Sequence, residues 1–141
     1  LMDNGTEVTK VANYNTVEAD DIDEACWTIL NPDGDKLYVS SFGANAISIF
    51  DIGSDGLVTS TSPVVLKRSD FAPAGDTKDM FITSNNSFMY NIGAFQSFSI
   101  NRFDLSPSGG EYVSQTTYET TKVSVGTPGE YNFLGLIGYD L

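Results

Sequence analysis

Glu18, Asp20, Asp21, Asp23 and Glu24 crowd into seven consecutive positions just ahead of Cys26, and Asp76, Lys78 and Asp79 form a second charged group further along the chain. Five carboxylates so close together could hold a hard cation through their oxygens. They lack the fixed loop spacing of an EF-hand, so a solvated acidic loop is the favoured reading. Lys78 could fix the carboxylate of an anionic substrate, but a surface ion pair with Asp76 and Asp79 is the expected role. Cys26 is the one cysteine, and the 141 residues contain no histidine. A thiol needs a base or a positive neighbour to become a nucleophile. With Trp27 and Ile29 alongside, Cys26 is expected to be a small buried thiol at a strand start, and Trp27 a packing aromatic or a channel floor.

Composition removes several classes of function. A single cysteine forbids an intrachain disulfide and a multi-cysteine metal site. Without histidine the chain has lost the commonest general base and the usual zinc ligand, and neither metal nor cofactor is expected. Acids outnumber bases 19 to 7, for a net charge of -12 and a pI near 4.1. Such a surface repels polyanions, which disfavours nucleic acid and anionic membranes as partners. No apolar run approaches the roughly 20 residues of a membrane span, and no signal-peptide pattern is visible. The chain also lacks a G-x-S-x-G elbow, a phosphate loop, paired glycosidase carboxylates and a dinucleotide fingerprint.

It begins with Leu1 and not methionine, so a processed product or a piece is expected. Asn4-Gly5-Thr6 and Asn85-Asn86-Ser87 are sequons, which makes Asn4 and Asn85 the glycosylation candidates. Together with an acidic, Ser/Thr-rich composition they favour an extracellular location over a cytoplasmic one.

The elements that must position these groups recur. Phe50-Asp51-Ile52 superposes on Phe103-Asp104-Leu105 at a separation of 53 positions, and Tyr38 and Tyr90 lie 52 apart. Gly5, Gly56 and Gly110, each in a turn that precedes a strand, are separated by 51 and 54. Each unit reads as four short strands. In one copy they fall at 27–31, 37–41, 47–52 and 57–61, and in the other at 79–83, 88–92, 98–105 and 111–117. Asn31-Pro32-Asp33-Gly34 is a turn by chemistry: proline fixes φ, the Asx side chains bond their own backbone, and glycine takes positive φ. Asp33-Gly34-Asp35 is thereby explained as a hairpin turn and not a calcium loop. Ile47, Ile49, Phe50 and Ile52 make a strand apolar on both faces, which must be sandwiched. No segment carries sustained helical periodicity.

A four-stranded antiparallel repeat of about 50 residues without helices is the pattern of a β-propeller blade. The predicted fold class is all-β, a partial propeller. Residues 1–25 would be the outer strand of a preceding blade with its loop, 26–78 and 79–127 two blades, and 128–141 the closing strand of a further one. One blade cannot bury both faces of its sheet, so remaining blades or self-association are implied. A single β-sandwich is the alternative. Propeller ligands gather at the channel mouth, which singles out Glu24, Cys26, Lys78 and Asp79 as candidate site residues. The aromatic set Phe42, Phe50, Phe81, Phe88, Phe95, Phe98 and Phe103 reads as inter-blade core, with Phe95 and Phe98 a second option for stacking on a sugar.

The run Ala25-Cys26-Trp27 through Asn31-Pro32-Asp33-Gly34 to Tyr38-Val39-Ser40 resembles the "P-C-W … P-D-G … Y-V-S" blade opening of the lactonase family of seven-bladed propellers. That family includes bacterial phosphogluconolactonases and fungal carboxymuconate-lactonizing enzymes. Ile47-Ser48-Ile49-Phe50, Asp55-Gly56-Leu57 and the terminal Gly135-Leu136-Ile137-Gly138-Tyr139 also fit, the last resembling the family's closing strand. Two positions depart from the pattern: Ala25 stands where a proline is expected, and Asn85-Asn86-Ser87 replaces the second P-D-G turn. The resemblance implies the C-terminal blades of a protein acting on a small lactone or muconate-type carboxylate by acid/base chemistry. The histidine and arginine residues such chemistry employs would lie in other blades, leaving this chain alone inactive. The competing expectation is a non-catalytic secreted or surface interaction module.

Overall fold

The computed structural model describes residues 2–3, 5, 8–16, 24–59, 64–67, 77–93, 99–106, 112–119 and 136–138. Ten strands follow one another with no helix among the described residues. A short hairpin joins β1 (Met2–Asp3) to β2 (Val8–Thr9). The first sheet is β3 (Ala25–Leu30), β4 (Lys36–Ser41), β5 (Ala46–Asp51) and β6 (Val64–Lys67). The second is β7 (Thr77–Ile82), β8 (Phe88–Gly93), β9 (Ser99–Leu105) and β10 (Tyr112–Glu119). Both are antiparallel meanders in which each strand pairs with the next in sequence.

The two sheets repeat in register as well as in order. Ile29 pairs with Tyr38 and Leu37 with Phe50 in the first; Phe81 pairs with Tyr90 and Met89 with Phe103 in the second. Alternation along each strand then decides which side chains share a face. Tyr38, Ile47 and Ile49 on one sheet meet Met80, Ile82, Met89, Phe103 and Leu105 on the other, with Ile29 at the margin, in one buried cluster. β7 packs directly on β3 and β4. The opposite face of the first sheet is buried too: Val39 and Phe50 lie beneath residues 10–16, with the Tyr14 and Phe50 rings edge to face at 6.0 Å. β5 is therefore covered on both sides, as its apolar composition requires.

The β3–β4 turn follows the chemistry of its residues. Asn31, buried, accepts from the Asp35 and Lys36 amides at 3.1 and 3.0 Å and donates to Asp35 Oδ1 at 2.8 Å. Gly34 takes φ +74, a value that costs a residue with a Cβ about 1–2 kcal/mol. The β7–β8 turn, which has no proline or glycine, closes in the same way. Its Thr83 carbonyl accepts from Asn86 at 2.9 Å, the Thr83 amide donates to Phe88 at 3.0 Å, and Asn86 takes φ 57 in the place of Gly34. Asn86 also donates to Asp33, joining the tips of the two turns.

The fourth strand of the first sheet corrects the expected 57–61. After Asp51 the chain turns at Gly53 and Gly56, Ile52 pairs once with Val58, and Thr59 donates to the Asp51 carbonyl at 2.9 Å. Full pairing resumes only at Val64, opposite Ile49, with the register slipped by three residues. The stretch Thr59-Ser60-Thr61-Ser62-Pro63 explains the slip. It has no large apolar side chain to bury, and Pro63 has no amide for a ladder, whereas Val64-Val65-Leu66 supplies two β-branched residues and a further apolar one, as a strand favours. At the other end, Leu136–Gly138 form no strand; they lie against the outer face of the second sheet, beside Phe81 and Tyr90.

Candidate functional site

β3 and β7 are packed together, and each of the four candidate residues lies in the first residues of one of these strands or just before it. Glu24 is exposed and sits just before β3 with φ 51; its carbonyl accepts from the Phe42 amide at 3.0 Å and from the Cys26 thiol at 3.1 Å. Cys26 is a free, exposed thiol, which corrects the expectation of a buried one. The cause is alternation on an edge strand: Trp27 and Ile29 turn inward and are half-buried while their neighbours face out.

Lys78 is buried, 6% exposed, so the expected surface position is also corrected. Its ammonium lies over the Trp27 ring at 5.9 Å and the Phe42 ring at 5.8 Å, so part of its charge is met by aromatic faces. Asp79 is half-buried and tied to backbone amides: Oδ1 accepts from Met80 at 2.8 Å and Oδ2 from Leu136 at 2.9 Å. A bulge between Thr77 and Met80 sets this arrangement, and Asn91 Nδ2 clasps it by donating to the carbonyls of Lys78 and Asp79 at 3.0 and 3.1 Å. The Asn45 side chain, from the β4–β5 turn, accepts from the Thr77 amide at 3.0 Å and anchors the start of β7 to the first sheet.

Sequence reasoning passed over Asn91, Asn101, Thr77 and Ser40, all fully buried. Asn101 accepts from Gln115 and Thr117 at 3.1 and 2.8 Å and donates to Ser99 at 3.3 Å. Asn91 Oδ1 and the Ser40 hydroxyl have no partner among the described residues. The signal was present: Asn91 and Asn101 stand where the first copy has Val39 and Ser48, a polar pair in a register that otherwise belongs to core.

Of the described members of the aromatic set, Phe103 alone enters the shared core, which corrects the expectation that the set forms an inter-sheet core. Phe50 faces the other side under Tyr14, and Phe42 flanks Lys78. Phe88 lies 5.0 Å beneath the Arg102 guanidinium, and Phe81 lines the outer face of the second sheet with Tyr90, 6.5 Å away between ring centres. On that face Arg102 bonds Asp104 at 2.8 Å, and Ser114 donates to the same carboxylate. The Ser114 bond and the guanidinium hold the Asp104 carboxyl below its ordinary value. Asn85 is exposed at the tip of the β7–β8 turn. Asn4, Glu18, Asp20, Asp21, Asp23, Asp76, Phe95 and Phe98 lie outside the described residues.

Glu24, Cys26, Lys78 and Asp79 thus stand at the starts of two packed strands, and their one thiol, Cys26, is bonded to a backbone carbonyl and not to a side-chain base. Among the described residues no three of His, Cys, Asp and Glu gather as a metal site would need, and no helix is long and apolar enough to cross a membrane. No family model and no curated protein matches the chain.

Proposed function

We propose that the two sheets are successive blades of a β-propeller and that the chain serves as a binding and interaction module without catalysing a reaction itself. Two four-stranded meanders with the same register, packed face to face through their first strands, support the propeller. The observation that carries the functional half is the state of the two residues best suited to acid/base work. Lys78 is buried over two rings, and both oxygens of Asp79 are occupied by backbone amides. General acid/base catalysis needs a group within reach of the proton it moves, and these two hold the fold instead. The exposed Asn85 is the glycan position this reading favours.

The second reading, a lactonase-like propeller that acts on a small lactone or muconate-type carboxylate, draws on the resemblance of Ala25–Ser40 and on the accessibility of Glu24 and Cys26 at the same mouth. One experiment separates the two. The protein is titrated with small lactones and the corresponding open acids in a calorimeter, and ring opening is followed in parallel by proton release. Heat of binding without proton release is expected; turnover that disappears in Glu24→Gln or Asp79→Asn would establish the enzyme. Expression in a eukaryotic host, with intact mass taken before and after deglycosylation, checks Asn85.

A further inference from the structure

The interface between the two sheets changes character along its length. Tyr38 and Met89 both belong to its apolar core. Two residues further along their strands, on the same faces by alternation, stand Ser40 and Asn91. Asn101 and then Ser99 follow from Phe103 toward the start of β9, again on the core face. All four of these polar side chains are fully buried. β4 and β8 end at one place, because Asn45 of the β4–β5 turn holds the amide of Thr77, and Thr77 pairs with Gly93 at the end of β8. Gly93 in turn pairs with Ser99. The apolar core is thus closed at that end by a buried polar layer to which both sheets contribute.

Most of this layer is bonded within the protein. Asn101 accepts from Gln115 and Thr117 and donates to Ser99, and Asn91 Nδ2 donates to the carbonyls of Lys78 and Asp79. Two oxygens are left over, one on each sheet: the Ser40 hydroxyl and Asn91 Oδ1 have no partner among the described residues. The ends of the Asn91 amide are not interchangeable, since both carbonyls it meets require a donor. Oδ1 therefore needs a donor of its own, and a buried polar oxygen without one is costly. A cation is a poor fit, because the buried Lys78 already brings a positive charge to the strand that Asn91 clasps. A small neutral molecule that both donates and accepts suits the pair, and water is that molecule. We propose that the polar end of the interface is a hydration site, where one water donates to Asn91 Oδ1 and bonds the Ser40 hydroxyl, joining the two sheets. Its role is positioning. Asn91 clasps the Thr77–Met80 bulge, the bulge sets the directions of Lys78 and Asp79, and the water ties Asn91 to the first sheet. The site depends on the interface alone and holds whether the chain binds a ligand or catalyses a reaction.

A high-resolution crystal structure of the full chain tests the site directly, with a single peak expected about 2.7–3.2 Å from both oxygens. In solution, oxygen-17 relaxation dispersion should detect long-lived internal water in the wild-type chain. Ser40→Val places methyl groups where that water sits and should lower the count by about one molecule. Ser40→Ala is the replacement should the valine variant fail to show wild-type circular dichroism and melting. It removes one of the two bonds, so the water should exchange about tenfold faster. In either variant the amides of 78–80 should exchange faster with solvent while those of β9 keep their protection, because only the clasp on the bulge has lost its tie. A peak ringed by six or more oxygens about 2.3–2.6 Å away would mean a metal ion instead. A direct bond between Ser40 and Asn91 would leave no site, and an unchanged water count in Ser40→Val would place the water elsewhere. Each of these results overturns the proposal.

Discussion

The Tyr38 side chain is fully buried between the two sheets. Loss of water around it, aided by the negative charge of Asp35, pushes its phenol up to about 12 from an ordinary value of 10.0. An unfolded chain would release that proton near its ordinary value, while the folded chain keeps it. Between pH 10 and 12 the unfolded state therefore binds fewer protons, so stability is intact below pH 10 and falls as pH rises toward 12. Tyr38→Phe removes this source of loss, and urea titrations across that range should give a flatter alkaline limb for the variant than for wild type. Asp104 acts in the opposite sense. Its carboxyl is held below its ordinary value, first by the Ser114 hydroxyl and then by Arg102. What it contributes is complete at neutral pH and is lost as pH falls through that lowered value, so Asp104→Asn should shallow the acid limb alone. Lys78 yields a test of its structural role. Lys78→Met retains a long stem in the space beside Trp27 and Phe42 and loses the ammonium, whose attraction to the two rings is worth about 1 kcal/mol. Lys78→Ala also empties the space and should cost more in the same titration.

At the scale of elements, one carboxylate fastens a segment to a sheet. Asp79 accepts the Leu136 amide, and Gly138 rests on Phe81 with no room for a methyl group. Asp79→Ala and Gly138→Ala should each raise amide exchange at 136–138, and Gly138→Ala should leave β7–β10 protected. Turns and central strands were legible in the sequence because their causes are local. Asn31, Pro32 and Gly34 carry their own geometry, and the alternation of Ile47, Ile49 and Phe50 fixes a strand without reference to anything distant. The β7–β8 turn was legible in place but not in shape, since Asn86 adopts the left-handed conformation by a side chain that tolerates it, where a glycine was the expected sign. The start of β6 is not legible locally, because it depends on where β5 finds an apolar partner after a hydroxyl-rich stretch. The candidate site was legible only as a neighbourhood. Which way Lys78 and Asp79 face depends on the Thr77–Met80 bulge, which Asn91 secures from the next strand, and on Trp27 and Phe42 from the other sheet. None of these partners is near Lys78 in sequence.

For the molecule as a whole, the decisive fact is that both sheets contribute to one core. Phe103 is fully buried in it, against residues of its own sheet and of β4 and β5. Truncating a buried phenylalanine costs about 3–5 kcal/mol, a large share of the 5–15 kcal/mol that holds a typical domain folded. Were the sheets independent, Phe103→Ala would lower protection in β7–β10 and spare β3–β6. They are not independent, because β7 lies on β3 and β4 and Asn45 holds the Thr77 amide, so the loss of either sheet strips the cover from the other. Phe103→Ala is therefore expected to reduce amide protection equally in β4, β5, β8 and β9 and to keep a single melting transition at lower temperature. Phe81→Ala provides the contrast: its ring lies half-buried on the outer face, so its effect should be smaller and confined to the second sheet and the segment at 136–138. Protection lost in the second sheet alone on removal of Phe103 would mean that the two repeats fold separately, and the shared core would then be a contact and not a source of cooperativity.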